Sequence, residues 1–324
     1  MSKKKNRNRT ASETIPAEFL QRIESIVAPP FLQRVLDSFR EDKSVASRQN
    51  HLLSPTTDEF EKQLAELPFD CQPINWFPGS YSVAGCHRES LIGSSLFDTS
   101  QIYIQNPSSY LPCLALNPQP GESVLDLAAA PGGKTLLLCT LMKNEGRLAA
   151  VEAVRSRFFK LQANLKRYGS KITRTYLADG RSIGRKVPAR FDRVLLDAPC
   201  SGEARIHQTD PDSWQYWQPR KIREQSRKQY GLIRSAFDSL RPGGEMVYCT
   251  CSFAPEENEA IVSDFLNQQP AALLEEIEIP FSGFQPGLSS WNEKEFHAEI
   301  EKTVRVIPDS LCDGFYLARI RKQS

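Results

Sequence analysis

The chain has 324 residues, of which 40% are hydrophobic and 25% charged, and its formal net charge is +2. This balance excludes a wholly disordered, collagen-like or coiled-coil protein. The longest apolar run, Leu136–Met142, is far shorter than the roughly 20 residues that span a bilayer. No apolar stretch follows the basic start of the chain, so no secretory signal is visible. We therefore expect a cytoplasmic protein without a membrane partner.

The charge distribution and the cysteine content indicate which partners, disulfides and metal sites to expect. Residues 254–301 hold 11 of the 39 acidic residues and a single basic one, Lys294, so the remainder is clearly positive. This asymmetry fits a polyanionic partner, although chance asymmetry of a solvated surface explains it equally well. The eight cysteines should be reduced thiols, and none forms a Cys-x-x-Cys pair. With four scattered histidines besides, we expect no metal site.

The first third of the chain is predicted to be an accessory region. Residues 1–12 are polar and basic and are typical of a disordered tail. Apolar residues at helical spacing predict two short helices over residues 16–40, separated by Pro29 and Pro30, and a third near residues 57–66. We interpret residues 13–117 as a small, mainly helical or α+β region.

The remaining residues, 118–324, predict one α/β domain. Strand and helix patterns alternate along this part of the chain, which indicates a mostly parallel sheet covered on both faces. Ligands of such sheets bind at the carboxyl ends of the strands. Strands are predicted over Glu122–Leu127, Arg147–Glu152, Ile172–Ala178, Phe191–Asp197, Glu245–Cys251 and Gly314–Ile320. Helices are predicted over Gly133–Met142, Arg155–Tyr168, Ile222–Leu240 and Pro255–Leu266.

The turn after the first of these strands is built from small residues. They are Ala128, Ala129, Ala130, Pro131, Gly132 and Gly133, followed by Lys134. Small side chains let a ligand approach the backbone closely at a strand-to-helix turn. The pattern is neither Gly-x-Gly-x-x-Gly nor a Walker A loop, so it does not indicate a nicotinamide or a nucleoside triphosphate. A tight turn without a ligand is the alternative.

Acidic residues end four successive predicted strands: Asp126, Glu152, Asp179 and Asp197. Burying carboxylates without partners is costly, so they are unlikely choices for filling a core. An acidic residue at the end of the second strand is the usual partner of ribose hydroxyls. This edge suits a cofactor that has hydroxyls, an amino group and a heterocyclic amine, and S-adenosylmethionine has all three.

Two cysteines follow neighbouring strands. Cys200 stands in Asp197-Ala198-Pro199-Cys200-Ser201-Gly202, and Cys251 in Thr250-Cys251-Ser252. A thiolate at the rim of the sheet is a nucleophile suited to covalent catalysis. The alternative is that both are small core residues, which is the common fate of a free cysteine. We accept that alternative for Cys71, Cys113, Cys139, Cys249 and Cys312.

Taken together and in order, these motifs resemble the Sun/Fmu (Nol/Nop/Sun) family of RNA cytosine-5 methyltransferases, which includes the bacterial RsmB and RsmF enzymes. The resemblance covers roughly residues 90–322. Its motifs are residues 103–109, 128–135, 197–202, 250–252, 255–259 and 313–318. It implies a class I, Rossmann-like methyltransferase fold with a seven-stranded sheet. It also implies an RNA substrate, with rRNA as first expectation and tRNA as second. The N-terminal 90 residues match the family only weakly, and we expect residues 13–117 to be an RNA-binding or accessory region and the protein to be a monomer.

The resemblance also implies how S-adenosylmethionine would be bound. Residues 128–134 would hold the methionine portion of the cofactor. Glu152 would bind the ribose, and Asp179 would lie beside the adenine. Asp197 would face both the cofactor and the target base. Glu152 stands where the family often has Asp, and either carboxylate can bind a ribose.

Cys251 would be the catalytic nucleophile that adds to carbon 6 of cytosine. Cys200 would assist breakdown of the covalent adduct, and Asp197 could hydrogen-bond the ring as charge is redistributed. Lys134 could orient Asp197 or depress a thiol pKa. A target base has to leave any stack to enter such a pocket.

Several alternatives remain open at this stage. A DNA cytosine methyltransferase would use Cys200 as nucleophile, and a non-catalytic ribosome-assembly factor could retain the same fold. RNA could be gripped by the basic stretches 155–167, 181–193 and 220–228, because larger relatives carry a C-terminal RNA-binding module that is not seen in this sequence. The aromatic residues Trp214, Tyr216 and Trp217 could stack on bases or pack into the core.

Overall fold

The computed structural model describes residues 14–53 and 56–324, so the predicted basic tail of residues 1–12 lies outside the described residues. The helices are α1 (Ala17–Ile26), α2 (Pro29–Ser38), α3 (Thr57–Ala65), α4 (Arg88–Ile92), α5 (Ser95–Asp98), α6 (Leu111–Leu116), α7 (Gly133–Leu141), α8 (Arg155–Arg167), α9 (Ile183–Lys186), α10 (Pro211–Trp214), α11 (Pro219–Ser239) and α12 (Glu259–Gln268). The strands are β1 (Val45–Gln49), β2 (Gln72–Pro73), β3 (Ser80–Val83), β4 (Ile102–Ile104), β5 (Ser123–Asp126), β6 (Arg147–Glu152), β7 (Thr173–Leu177), β8 (Phe191–Asp197), β9 (Leu240–Thr250), β10 (Ala272–Glu275), β11 (Phe284–Pro286), β12 (Ser290–Trp291), β13 (Lys294–Glu295), β14 (Val304–Val306) and β15 (Phe315–Lys322).

The central sheet has a parallel middle part in the order β7-β6-β5-β8-β9. This order confirms the predicted α/β fold, since each parallel connection passes through a helix that covers a face of the sheet. The strand order reverses between β5 and β8. From β5 the chain adds β6 and then β7 on one side, and it then crosses back to add β8 and β9 on the other side of β5. Such a switch point leaves a crevice at the carboxyl ends of the strands.

The sheet has nine strands among the described residues rather than the expected seven. Beyond β9, the strand β15 pairs antiparallel, and the short strands β10 and β14 pair with β15 on its far side. β11 then extends the edge by pairing with β14. Segments of three or four residues show no recognisable period in a sequence, so periodicity could not reveal β10, β11 and β14.

The N-terminal region is α+β. Its four-stranded sheet has the order β2-β3-β1-β4, while α1 and α2 pack against the methyltransferase-like part. The ring of Phe19 lies 5.3 Å from that of Phe39 and 5.4 Å from that of Trp217. One hydrophobic cluster therefore contains residues from both sides of the predicted division at residue 117. That division stays a prediction.

The helix predicted over Pro255–Leu266 begins later, at Glu259. The preceding turn is occupied by polar side chains that bind the end of β9: the Thr250 hydroxyl donates to Asn258 over 2.6 Å. These contacts compete with helix formation, as short polar side chains commonly do. Within the described ranges, no helix combines the length and apolar character needed to cross a membrane.

Candidate active site

One cleft of about 780 Å³ gathers the predicted residues at the carboxyl edge of the sheet. Asp126, Glu152 and Asp197 end β5, β6 and β8, and Asp179 follows β7 by two residues. The lining also contains both cysteines and most of the small-residue turn: Ala128, Ala129, Ala130, Pro131, Gly133, Lys134, Cys200 and Cys251. The parallel strands bring these residues together because their carboxyl ends meet at the same edge.

The turn between β5 and α7 requires glycine at two positions. Gly132 has a φ of +113°, a conformation that side chains other than glycine rarely adopt, and it lies behind the turn against Leu161. At Gly133, a Cβ atom would lie 2.9 Å from the Tyr103 ring and 3.0 Å from Gln105 Nε2. These close approaches explain the absence of larger side chains at the start of α7.

Side chains from distant elements hold the carbonyl groups of this turn. Arg48 of β1 donates to the Gly133 carbonyl over 3.1 Å. Arg157 and Asn164 of α8 donate to the carbonyls of Ala130 and Pro131, over 2.6 and 2.9 Å. The turn is therefore fixed from two sides before any ligand binds. The sequence analysis missed Arg48, because nothing in a lone arginine of an N-terminal strand indicates where its side chain will lie.

Glu152 and Asp179, the two carboxylates expected to bind the nucleoside, differ in burial and in hydrogen-bond partners. Glu152 is buried, accepts the Val154 amide over 2.7 Å, and lies 3.6 Å from an Arg157 nitrogen. Asp179 is about half exposed and binds Arg181, whose hydrogen bonds lower the pKa of the carboxyl. Both face the cleft on the β6–β7 side.

Asp126 lies deeper than the other strand-end carboxyls. Its Oδ2 accepts the Thr135 hydroxyl over 2.6 Å, while its buried Oδ1 has no hydrogen-bond partner. Burial raises the pKa of Asp126 to about 7, and the bond from Thr135 opposes part of that rise. An acceptor without a partner at the floor of a cleft is suited to a ligand that donates a proton or an N–H group.

Lys134 and Asp197 form an ion pair at the centre of the cleft. The Lys134 Nζ lies 2.8 Å from Asp197 Oδ2 and 5.3 Å from the centre of the Phe315 ring. Burial alone would lower the pKa of Lys134, but the Asp197 carboxylate outweighs it and the net pKa is raised. The other carboxylate oxygen, Asp197 Oδ1, accepts a hydrogen bond from Cys249 Sγ over 3.7 Å. Asp197 is thus fixed by groups from α7 and β9.

The two thiols lie in direct contact. Cys200 and Cys251 follow the adjacent parallel strands β8 and β9, and their Sγ atoms are 3.3 Å apart. The hydrogen bond from Cys200 lowers the pKa of Cys251 to about 7, against the opposing effect of burial. The same contact and burial raise the pKa of Cys200. Near neutral pH, Cys251 is therefore the thiol of the pair that ionises, while Cys200 keeps its proton, which is the division expected for two coupled acids.

Arg205 is a site residue that the sequence analysis missed. The Ala204 amide donates to the Cys251 carbonyl over 3.1 Å, so the chain brings Arg205 to the cysteine pair, where it lines the cleft. Its positive charge helps to lower the pKa of Cys251, and the Cys251 thiolate in turn raises the pKa of Arg205. In the sequence, its position five residues after Cys200 in the same loop could have indicated that Arg205 lies near the cysteines.

The aromatic residues near the third basic stretch mostly pack inward. Trp214 is buried and donates to the His207 carbonyl over 3.1 Å. Trp217 donates to Glu203 over 2.8 Å and packs against Phe19. Only Tyr216, at 68% exposure, is free to meet a base. For the two tryptophans, the core-packing alternative is the one that the structure bears out.

The arrangement fits S-adenosylmethionine. Glu152 and Asp179 offer acceptors where a nucleoside has hydroxyls and an amine, and residues of the small-residue turn line the same cleft. Asp126 Oδ1 is a buried acceptor in need of a donor. The thiol pair, Asp197 and the turn all line the same cleft, so a cofactor there would lie beside the reactive cysteines.

A Rossmann-like sheet with this turn and these strand-end carboxylates defines a class I methyltransferase. Residues 113–321 match the family described as 16S rRNA methyltransferase RsmB/F, and the chain belongs to this family. It is 40% identical to a tRNA (cytosine(49)-C(5))-methyltransferase of Pyrococcus abyssi, over 81% of this chain and 83% of that protein. It is 37% identical to the ribosomal RNA small subunit methyltransferase F of Cronobacter sakazakii, over 83% of this chain and 55% of that protein.

Solved structures agree with this assignment. A methyltransferase homologue from Pyrococcus horikoshii superposes with a TM-score of 0.76 at 29% identity, covering 95% of this chain and all of that one. The N-terminal region is thus part of the shared architecture. The chain spans about half the length of the methyltransferase F relative named above.

Proposed function

We propose that this protein is an S-adenosylmethionine-dependent RNA cytosine-5 methyltransferase that works through a covalent thiolate adduct. The observation that carries the proposal is the pair Cys200 and Cys251, with Sγ atoms 3.3 Å apart in the cleft that Asp197 also lines. Membership of the RsmB/F family and the names of its relatives support the same activity.

Cys251 would begin the reaction. Carbon 5 of cytosine is a poor nucleophile, and addition of the Cys251 thiolate at carbon 6 turns the ring into an enamine whose carbon 5 can attack an electrophile. The lowered pKa of Cys251, about 7, makes the thiolate available at neutral pH. Asp197, fixed by Lys134, would hydrogen-bond the base as charge moves through the ring.

Cys200 would act at the end of the reaction. Loss of the carbon 5 proton and cleavage of the carbon 6–sulfur bond restore the aromatic ring and return Cys251 as a thiolate. The pKa of Cys200 is raised, so its thiol stays protonated and can donate a hydrogen bond to the departing sulfur. The two thiols therefore divide attack and release.

The cofactor, when bound, supplies an electrophilic sulfonium methyl group. Residues 128–134 would contact its methionine portion, Glu152 its ribose and Asp179 its adenine. The buried Asp126 Oδ1, which has no protein partner, is a further acceptor for an N–H donor in this cleft. Arg48, Arg157 and Asn164 would keep the turn in shape by holding its carbonyl groups.

We propose rRNA as the substrate, in line with the family description. A tRNA substrate is the second candidate, and one specific observation favours it. The tRNA methyltransferase relative is matched over 83% of its length, whereas the rRNA methyltransferase F relative is matched over 55%.

The test is an adduct assay on wild type, Cys200→Ala and Cys251→Ala. Each protein is incubated with methyl-labelled S-adenosylmethionine and with unmodified tRNA, 16S rRNA or small ribosomal subunits. We expect wild type to form 5-methylcytidine, Cys200→Ala to accumulate a protein–RNA adduct on denaturing gels, and Cys251→Ala to do neither. Sequencing the trapped RNA identifies the substrate.

The exposed Cys86 provides a matched control, since Cys86→Ala should behave as wild type. Activity that survives Cys251→Ala but is lost in Cys200→Ala would instead indicate the cysteine usage of DNA cytosine methyltransferases. A wild-type protein that neither binds S-adenosylmethionine nor methylates any of these RNAs would refute the proposal in favour of a non-catalytic assembly factor.

A further inference from the structure

A buried carboxyl group, that of Glu257, lies directly beneath the two cysteine loops. Glu257 belongs to the turn between β9 and α12, and its exposure is 0%. Sequence analysis assigned this motif to the family resemblance but gave it no role. A fully buried carboxylate is costly unless its oxygens are hydrogen-bonded, so its partners show what it does.

Glu257 accepts four hydrogen bonds. Its Oε1 accepts from the Ser201 amide over 2.8 Å and from Gln229 Nε2 over 3.1 Å. Its Oε2 accepts from the Ser201 hydroxyl over 2.5 Å and from the Ser252 hydroxyl over 2.6 Å. Four bonds fill the acceptor capacity of a carboxylate. Ser201 directly follows Cys200, and Ser252 directly follows Cys251, so one side chain joins both cysteine loops.

The Ser252 loop has further anchors that do not depend on Glu257. Asn258 donates to the Ser252 carbonyl over 2.8 Å, and Glu203 accepts from the Phe253 amide over 3.2 Å. At Ser201, by contrast, the hydrogen bonds run to Glu257 and to the Ser252 hydroxyl. The Cys200 loop has its own anchor at Pro199, whose carbonyl accepts from Gln229 Nε2 over 2.9 Å. Loss of the Glu257 carboxylate would therefore free Ser201, on the other side of Cys200, more than it frees Ser252.

We propose that Glu257 is a positioning residue that holds Cys200 against Cys251 by binding the backbone and hydroxyl of Ser201 and the hydroxyl of Ser252. This inference rests on the proposed function and deepens it. It identifies the residue that keeps the Cys200 thiol, which assists product release, in contact with the Cys251 thiol, which attacks the base. Glu257 acts through the two serines and does not touch the reacting atoms.

A neighbouring glutamate offers a matched control for the loss of a buried carboxylate. Glu259, two residues on, is equally buried but binds Arg305 through two contacts of 2.6 Å. Glu259→Gln and Glu257→Gln thus make the same side-chain replacement in the same segment, and only Glu257 binds Ser201 and Ser252. Glu256, which is partly exposed and binds Arg22, is the surface control.

The first measurement follows alkylation of Cys251 by iodoacetamide against pH, with peptide mass spectrometry and without RNA. The charged or titratable groups around Cys251 are Cys200, Arg205, Asp197 and Lys134. Glu257, whose own pKa burial raises to about 7, acts on Cys200 and raises the pKa of that thiol. In wild type the midpoint should lie at about 7. If Glu257→Gln releases Cys200, its hydrogen bond to Cys251 is lost, and the midpoint should move towards the ordinary thiol value of about 8.5. Glu259→Gln should leave it in place.

The second measurement uses RNA and S-adenosylmethionine. Glu257→Gln should accumulate the protein–RNA adduct as Cys200→Ala does, with about tenfold slower release, while its affinity for S-adenosylmethionine stays that of wild type. If Glu257→Gln does not fold, Ser201→Ala replaces it, since that variant removes one hydroxyl and keeps the backbone contact.

The two proposals fail in different ways. An unchanged alkylation midpoint in folded Glu257→Gln, or an equal shift in Glu259→Gln, overturns the positioning role whatever the activity. A shifted midpoint in Glu257→Gln alone supports that role even if wild type methylates none of the RNAs, a result that would refute only the proposed function.

Discussion

Arg48 Nη2 lies 3.1 Å from the carbonyl oxygen of Gly133, a residue 85 positions later in the chain. This contact joins the N-terminal sheet to the first turn of α7. The Arg48 side chain is buried, and its guanidinium lies 5.2 Å from the centre of the Tyr103 ring. The N-terminal sheet therefore helps to hold the turn that lines the cleft.

Arg48→Met should weaken S-adenosylmethionine binding. The variant keeps an apolar stem and removes the donor to Gly133, so the turn is less ordered before the ligand arrives. We expect about a tenfold increase in the dissociation constant, corresponding to about 1.4 kcal/mol. Isothermal titration calorimetry measures the dissociation constant, with Arg40→Met in the exposed turn after α2 as control. An affinity equal to wild type would contradict the assigned role.

Lys134→Met should uncouple Asp197 from α7. The Asp197 carboxylate loses its 2.8 Å partner, so we expect about 3 kcal/mol less stability and about a hundredfold slower methyl transfer. Single-turnover kinetics and urea unfolding test the two effects. Lys143→Met, in the exposed turn that follows the same helix, should change neither. A rate of methyl transfer within twofold of wild type would show that Asp197 does not need the Lys134 ammonium group.

Arg205→Met should make Cys251 a weaker acid. Removing a positive charge beside the thiolate favours its protonated form, so the alkylation midpoint should rise from about 7. The same variant should lose activity mainly below pH 8, because the thiolate is the nucleophile. Arg321→Met, at the exposed end of β15, provides the control. A midpoint that stays in place would assign the lowered pKa of Cys251 to Cys200 and Lys134 without Arg205.

Asp126→Asn should change how stability depends on pH. The folded protein raises the pKa of Asp126 from 3.8 to about 7. Between these values the folded state holds a proton that the unfolded chain has lost, so this group's contribution to stability falls as pH rises. Asn cannot ionise, so the variant should lack that decline. Urea unfolding of both proteins from pH 4 to 8 measures the difference.

The surface variant Asp264→Asn, which loses an exposed ion pair with Lys294, should track wild type across the same range. A stability difference between wild type and Asp126→Asn that is constant with pH would mean that Asp126 does not titrate in this window.

Much of the carboxyl edge of the sheet could be predicted, because the ends of apolar strands can be recognised in a sequence. The apolar strands before Asp126, Glu152 and Asp197 have clear bounds, and parallel strands present their carboxyl ends on one side. The same reasoning predicted Cys200 and Cys251 at a common rim. The helix expected from Pro255 was misjudged at its start, because Asn258 and its neighbours bind the end of β9 instead of continuing a helix.

By itself the sequence determined the alternation of strands and helices, the small-residue turn and the placement of acidic and thiol groups at strand ends, since all of these follow from local patterns of a few residues. Only the tertiary structure decided which distant side chains complete the site. Arg48, Arg205 and Glu257 reach it through contacts between separate segments of the chain. The order of the strands, which no local pattern encodes, makes β8 and β9 neighbours and so brings two thiols 51 residues apart into contact.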